Sequence, residues 1–279
     1  PLPLHDALPI YTDTMKDQFV IACIEDDASA ATVLPWAHLF VRHLRHKGLM
    51  ALHVSQHKKD DGWLKTLGIP YISMQGDWAT AIEGIPTALN GILVVTAVNT
   101  HAPRTSLTHP KNLLHEFKNC KTAFLCVNAD KSAPSPKDDR FDLSTAILTL
   151  THRHEGKEKL IWASYLARFL DSHIIIAHPD YRDKDLRTRW HNNMRFADKV
   201  FTPLDLTYTT NIVSSSTQPD IAVLDELHPN LLIARTSDIR DRDLIDWFLP
   251  RPELRLLTHP THTPLLLLNP RDDLYILCD

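Results

Sequence analysis

Two periodicities alternate along this chain, in the same order twice, and that alternation limits the fold more than any other feature. Residues 19–24 (FVIACI) form a short apolar run rich in β-formers, the pattern of a strand buried on both faces. From Ser29 to Lys47 the spacing changes: Val33, Trp36, Ala37, Phe40, Val41 and Leu44 recur three and four residues apart. That predicts an amphipathic helix, stopped on its C-terminal side by Gly48. Further strands are predicted at 49–54, 69–74, 91–95 and 123–127, with a short helix at 63–67 and helices at 78–89 and within 113–119. Residues 129–142 are polar and charged, with Pro134 and Pro136, and make the best linker in the chain. The order then begins again, with strands at 146–150, 173–177, 206–213, 231–234 and 265–268. Its helices are predicted at 158–170, 183–201, 219–227 and 241–257, the last broken at Pro250; residues 274–278 add a terminal strand.

Strands alternating with helices require right-handed crossovers and a parallel sheet covered on both faces. The halves can be overlaid. Residues 36–47 leading into 49–54 match 162–171 leading into 173–177, and 109–114 before 122–128 match 253–257 before 263–269. A repeat this long means two copies of one domain, not a solenoid. The expected fold class is therefore α/β: two tandem domains, each a five-stranded, mainly parallel sheet with helices on both faces. Domain 1 is expected at 15–128, the linker at 129–142 and domain 2 at 143–279. Residues 4–10 (LHDALPI) are what a common sequencing-library adapter encodes in frame. Residues 1–14 are accordingly expected to be a non-native N-terminal extension, with the natural start at or near Met15.

Composition narrows the partners. A net charge of −4 gives no electrostatic footprint for nucleic acid. The basic residues of 180–195 alternate with acids and apolar residues, as on a solvated helix face. The longest apolar runs, such as 264–268, fall far short of the roughly 20 residues a membrane helix needs. The cysteines at 23, 120, 126 and 278 show no C-x-x-C spacing and read as buried thiols of a reducing, cytoplasmic compartment. Only seven glycines are present, none after Gly156 and none clustered, so bare backbone for approaching a phosphate is missing.

Open α/β sheets bind ligands beyond the carboxyl ends of their strands. At those places stand Asp26, Asp27 and Ser29 after the first strand and Val54 at the end of the second. Arg-Thr-Ser triplets at 104–106 and 235–237 follow the fourth strand of each half. Asp27 and Ser29 are expected first as helix caps. Arg104 with Ser106, and Arg235 with Ser237, offer donors for an anion, although a solvated loop explains them at least as well. No G-x-S-x-G elbow exists, so no catalytic residue is assigned and no enzyme is expected. The short-spaced pairs among the 17 histidines (152/154, 173/178, 259/262) lack a second ligand pair, so no metal site is assigned.

Read together, these features resemble a tandem universal stress protein over nearly all of 15–270. The resemblance rests on the acidic-small loop Glu25-Asp26-Asp27-Ala28-Ser29 after the first strand and on the strand end Leu52-His53-Val54. It rests also on the ending 256–268 (LLTHPTHTPLLLL), similar to the family's helix, histidine turn and short hydrophobic strand. The family's ATP-binding members carry Gly-x2-Gly-x9-Gly-Ser/Thr after the fourth strand and an aspartate at the end of the first. Neither 96–114 nor 235–257 contains a glycine, and the aspartate position falls on Ile24, with Asp26 nearby, and near His152. The resemblance thus implies a bacterial-type, non-catalytic stress-response or interaction protein without cofactor, ATP of the usual family kind being disfavoured. The alternatives are a sensor of a nucleotide or other small anion at the strand-end pockets, or a diverged enzyme of the nucleotide-binding α/β group. Candidate ligand-binding residues are Asp26, Ser29, Val54, Arg104, Ser106, Arg235 and Ser237. Any residual anion site is expected in the first half, because Asp238, Asp241 and Asp243 crowd the second. Domains of this family commonly pair through their last strands, which implies an internal pseudo-dimer through 122–128 and 264–268. A homodimer is the further option, and an unidentified protein is the expected partner, with neither nucleic acid nor membrane involved.

Overall fold

The computed structural model describes residues 18–44, 47–55, 62–129, 143–153, 156–237 and 251–270. The expected N-terminal extension at 1–14, nearly all of the expected linker, the stretch 241–250 and the strand expected at 274–278 lie outside the described residues. In the first half the elements are β1 (Gln18–Cys23), α1 (Asp27–His43), β2 (Lys47–Ser55), β3 (Tyr71–Gln75), α2 (Trp78–Ala88), β4 (Gly91–Val98), α3 (Pro110–Glu116) and β5 (Ala123–Asn128). The second half supplies β6 (Thr145–Thr149), α4 (Lys157–Phe169), β7 (His173–Pro179), α5 (Lys184–Phe201), β8 (Tyr208–Val213), α6 (Pro219–Glu226), β9 (Leu231–Arg235), α7 (Pro252–Leu257) and β10 (Leu265–Leu268). Short 3-10 segments occupy Gly62–Leu67 and Thr202–Leu204.

The strands form one ten-stranded sheet in the order β3-β2-β1-β4-β5-β10-β9-β6-β7-β8. Within each half every pairing is parallel, and the order 3-2-1-4-5 is that of a doubly wound sheet. The halves meet where β10 runs antiparallel to β5, with Leu265, Leu266 and Leu267 opposite Cys126, Leu125 and Phe124. Asn269 ties the joint from outside the sheet. Its Nδ2 donates to the carbonyls of Phe117 (2.7 Å) and Cys120 (2.8 Å) beyond α3.

The central strands are buried on both faces, which is why their sequences lack alternation. On one face α1, α4 and α5 pack around Trp36, Phe40, Leu160 and Leu166. On the other, α2, α3, α6 and α7 pack around Ile82, Phe117, Val223 and Leu257.

Several boundaries differ from the expectation: α3 lies three residues earlier than 113–119, β3 and β8 each start two residues later than expected, and the most consequential difference is at α1. α1 ends at His43 with Leu44 as its cap, and Gly48 lies inside β2, not at the helix end. A Cβ at Gly48 would stand 2.6 Å from the Phe19 ring, so the glycine serves the approach of β2 to β1. The strand-like pairing of residues 47 and 48 with β1 outweighs the C-cap preference of glycine.

Candidate functional site at the strand ends

A doubly wound sheet opens a crevice where the strand order reverses, at the C-terminal ends of β1 and β4 and, in the second half, of β6 and β9. Because β5 and β10 are antiparallel, the two crevices open at opposite ends of the strands. The candidate residues of the two halves therefore do not converge on one site.

In the first crevice the chain leaves β1 through Glu25 and Asp26. Asp26 is the N-cap of α1 and accepts from the Ser29 N–H at 2.8 Å, while Ser29 Oγ accepts from the Asp26 N–H at 3.0 Å. This reciprocal capping box also takes the Glu25 N–H (2.9 Å). Capping thus falls to Asp26 and Ser29, and Asp27 is the first helical residue. Val54 is buried in β2 at 6% exposure, among the apolar residues of the α2–α3 face. The neighbouring His53 is buried, and its Nδ1 lies 3.0 Å from the Ile24 carbonyl. A carbonyl only accepts, so Nδ1 carries the proton there.

The loop joining β4 to α3 folds over this strand end and is held by Glu25, which the sequence places in the acidic loop after β1 but not among the candidate binding residues. Glu25 accepts from the Leu107 N–H (2.8 Å) and from the Ser106 hydroxyl (2.5 Å). Ser106 also meets the Thr108 hydroxyl at 2.7 Å. Six further loop amides turn inward too. Asn99 donates to Thr108 O, His101 to Asn99 Oδ1, Ala102 to Asn99 O, Ser106 to Pro103 O, Thr108 to Ser106 Oγ and His109 to Ser106 O. Arg104 is exposed on this loop.

The second crevice is built differently. Thr149 ends β6 at 1% exposure and donates its hydroxyl to Asp220 at the start of α6 (2.5 Å). The Lys159 ammonium, on the first turn of α4 and 3% exposed, donates to the Thr149 carbonyl (2.5 Å) and meets its hydroxyl at 3.3 Å. Tyr181, beyond β7, accepts at its hydroxyl from the His152 N–H (3.1 Å) and takes the His152 ring edge-on. Arg235, the last residue of β9, is half-buried; beyond it Ser237 is exposed and donates both its N–H and its hydroxyl to Glu253 on α7. Thr236 donates to Asn269 Oδ1 (2.6 Å), linking this loop to the joint between halves.

Thus both Arg-Thr-Ser triplets bind a carboxylate through their serine, and in both halves the carboxylate is the chain's own. Lys159 takes the third helical position after the cap Gly156, as Ser29 does after Asp26, but the overlay of 36 on 162 sets Lys159 against Val33, so the repeat gave no signal for it. Glu25 and Glu253 lacked a signal too, because each finds its serine 81 or 16 residues away. Among the described residues, no group of His, Cys, Asp and Glu side chains has the arrangement of a metal site.

A Pseudomonas aeruginosa UCBPP-PA14 protein assigned to the universal stress proteins is structurally similar, with a TM-score of 0.58 at 14% identity, over 95% of this chain and 96% of that one. A universal stress protein of Archaeoglobus fulgidus DSM 4304 gives a TM-score of 0.60 at 13% identity, over 91% and 97% of the two chains. This is the universal stress protein fold. A functionally unknown protein of Pseudomonas aeruginosa PAO1 shares it, with a TM-score of 0.55 at 13% identity over 93% of this chain and 95% of that one. By sequence, neither a family model nor a curated protein matches the chain. With this fold spanning nearly the full length of each neighbour, the two crevices are the places at which to look for its chemistry. No helix among the described residues is long and apolar enough to cross a membrane.

Proposed function

We propose that the protein is a tandem universal stress protein acting in the cytoplasm as a non-catalytic stress-response component. It works by engaging a protein partner and neither holds nor hydrolyses ATP. The observation that carries this reading is the state of the β4–α3 loop. Phosphate binding at a strand end needs free backbone N–H groups. Here the N–H groups of Asn99, His101, Ala102, Ser106, Leu107, Thr108 and His109 all donate within the protein. The Glu25 carboxylate already stands on the Leu107 amide and the Ser106 hydroxyl, and a phosphate arriving there would meet like charge. The first half, where any residual anion site was expected, is therefore the weaker of the two.

A second reading, a sensor of a small anion, is favoured by one observation in the other half. Among the described residues Lys159 is the only buried lysine or arginine, and it stands at the C-terminal end of β6 beside a threonine hydroxyl. The candidates Arg235 and Ser237 belong to that pocket rim; Arg104 and Ser106 belong to the first.

Calorimetric titration of the full chain with Mg-ATP, and separately with inorganic phosphate, tests both readings. The expected result is no saturable heat with Mg-ATP and no release of phosphate from it. Micromolar Mg-ATP binding overturns the proposal. Saturable phosphate binding that Lys159→Met abolishes and Arg104→Ala leaves intact establishes the sensor instead.

A further inference from the structure

We propose that the outer face of α1 is a self-complementary surface on which a second copy of this chain docks, α1 against α1 in antiparallel fashion. Along that face runs an open groove of about 490 Å³, walled by Leu67 of the 3-10 turn. Every α1 residue lining it has a mate in the same set about a centre between Leu34 and Pro35. Asp27 mirrors Arg42, Ala30 mirrors Leu39, Ala31 mirrors His38, and Leu34 mirrors Pro35. A two-fold axis through that centre brings each residue against its mate on the second copy, which is what an isologous interface requires.

The chemistry matches at each pair. Acid faces base at the two ends, which lie about 22 Å apart at 1.5 Å per residue. Exposed Ala31 faces His38, small against large, so the ridge of one helix enters the groove of the other, while Ala30 at 2% exposure only floors the groove beneath Leu39 of the second copy. At the centre, half-buried Leu34 and Pro35 cover one another. Neither Asp27 nor Arg42 has an ion-pair partner among the described residues, and both are exposed. The helix macrodipoles of an antiparallel pair also lie head to tail, with the N-terminal Asp27 of one helix beside the C-terminal Arg42 of the other.

Pro35 supplies a further and independent reason. Inside α1 it offers no N–H to the carbonyl of Ala31 four residues earlier. The mate of Ala31 is His38, whose ring carries an N–H donor, so His38 of the second copy stands where that carbonyl lacks its helical partner.

Sedimentation velocity on the full chain over a concentration series tests the docking. A reversible dimer is expected, weakened by salt because its outer pairs are exposed. Asp27→Arg and Arg42→Asp each place like charges at both ends of the dimer and raise its dissociation constant about tenfold or more. The double swap restores complementarity and returns the constant to within about threefold of the starting value. Circular dichroism confirms that each variant keeps its fold. A second measurement does not depend on the swaps. In a Cys278→Ser background, Leu34→Cys crosslinks two copies under mild oxidation, whereas Thr188→Cys on exposed α5 does not. A chain that stays monomeric throughout, or a dimer that neither swap weakens and Leu34→Cys does not crosslink, overturns the proposal.

Discussion

Ser29 shows how much of the first crevice is architecture. Its amide and hydroxyl close a capping box with Asp26, and the hydroxyl also accepts the Glu25 N–H, so three residues at the mouth are fixed by one side chain. With its backbone so fixed, Glu25 can reach across to Ser106 and Leu107. The thiols are settled at the same scale. Cys23, Cys120 and Cys126 are buried and free, and burial pushes all three upward, Cys120 to about 12. The thiolate is the reactive form, so none of the three carries appreciable nucleophile at neutral pH. Peptide mapping after iodoacetamide treatment of the native protein should find these cysteines unmodified, and denaturant should make all three react. Labelling of Cys23 in the native state would contradict its burial.

Among the elements, α5 and β8 make the outermost layer of the second half and have the least core beneath them. Of eighteen residues in α5 only Ala197 and Phe201 are buried, and β8 is an edge strand exposed from Thr209 to Ile212. The Tyr208 hydroxyl joins the two by donating to Asp198 (2.6 Å). Burial, then the hydrogen bond to Asp198 and its negative charge, raise the Tyr208 phenol to about 12. A raised phenol favours the folded state fully below its unfolded value near 10, and that contribution disappears as pH climbs through about 12. Alkaline unfolding should therefore begin in this layer, with β8 losing hydrogen-exchange protection before β6 does. Tyr208→Phe should flatten that part of the stability–pH profile and lower neutral stability by the one exposed hydrogen bond to Asp198, about 0.5–1.5 kcal/mol. An unaltered alkaline limb in the variant would assign the loss to other groups.

At the scale of the whole molecule, the decisive contact is four residues long. β10 pairs with β9 on one side and β5 on the other, and all four of its leucines are buried. It ends two edges at once that would otherwise invite aggregation. Leu266, fully buried between Leu125 and Ile233, sits at its centre. Leu266→Ala should cost about 2–5 kcal/mol in denaturant unfolding, the range for a leucine removed from a packed core. Because the sheet is continuous, hydrogen exchange should accelerate in β5 as well as β9. Acceleration confined to the second half would mean that the halves unfold independently.

The elements were legible in the sequence because each is a local pattern. Period-3.6 stripes such as Val33, Trp36, Ala37 and Phe40 record which side faces the core, and continuous runs such as 231–234 record burial on both sides. The α/β class and the parallel order within each half follow from that alternation and from the handedness of crossovers. The sequence also excluded, by itself, a glycine-built phosphate cradle, since seven scattered glycines leave no bare backbone where one would be needed. It could not show what fills the cradle's place, because Glu25 meets Ser106 across 81 residues and Asn269 meets Phe117 across 152. Hydrogen bonds at such separations depend on where strands bring the chain back, not on any local period. Only the tertiary structure decided the rest: β5 set antiparallel to β10 turned the two crevices to opposite ends of the strands, and within each half the packing of the strand ends brought the serine to a glutamate of its own chain.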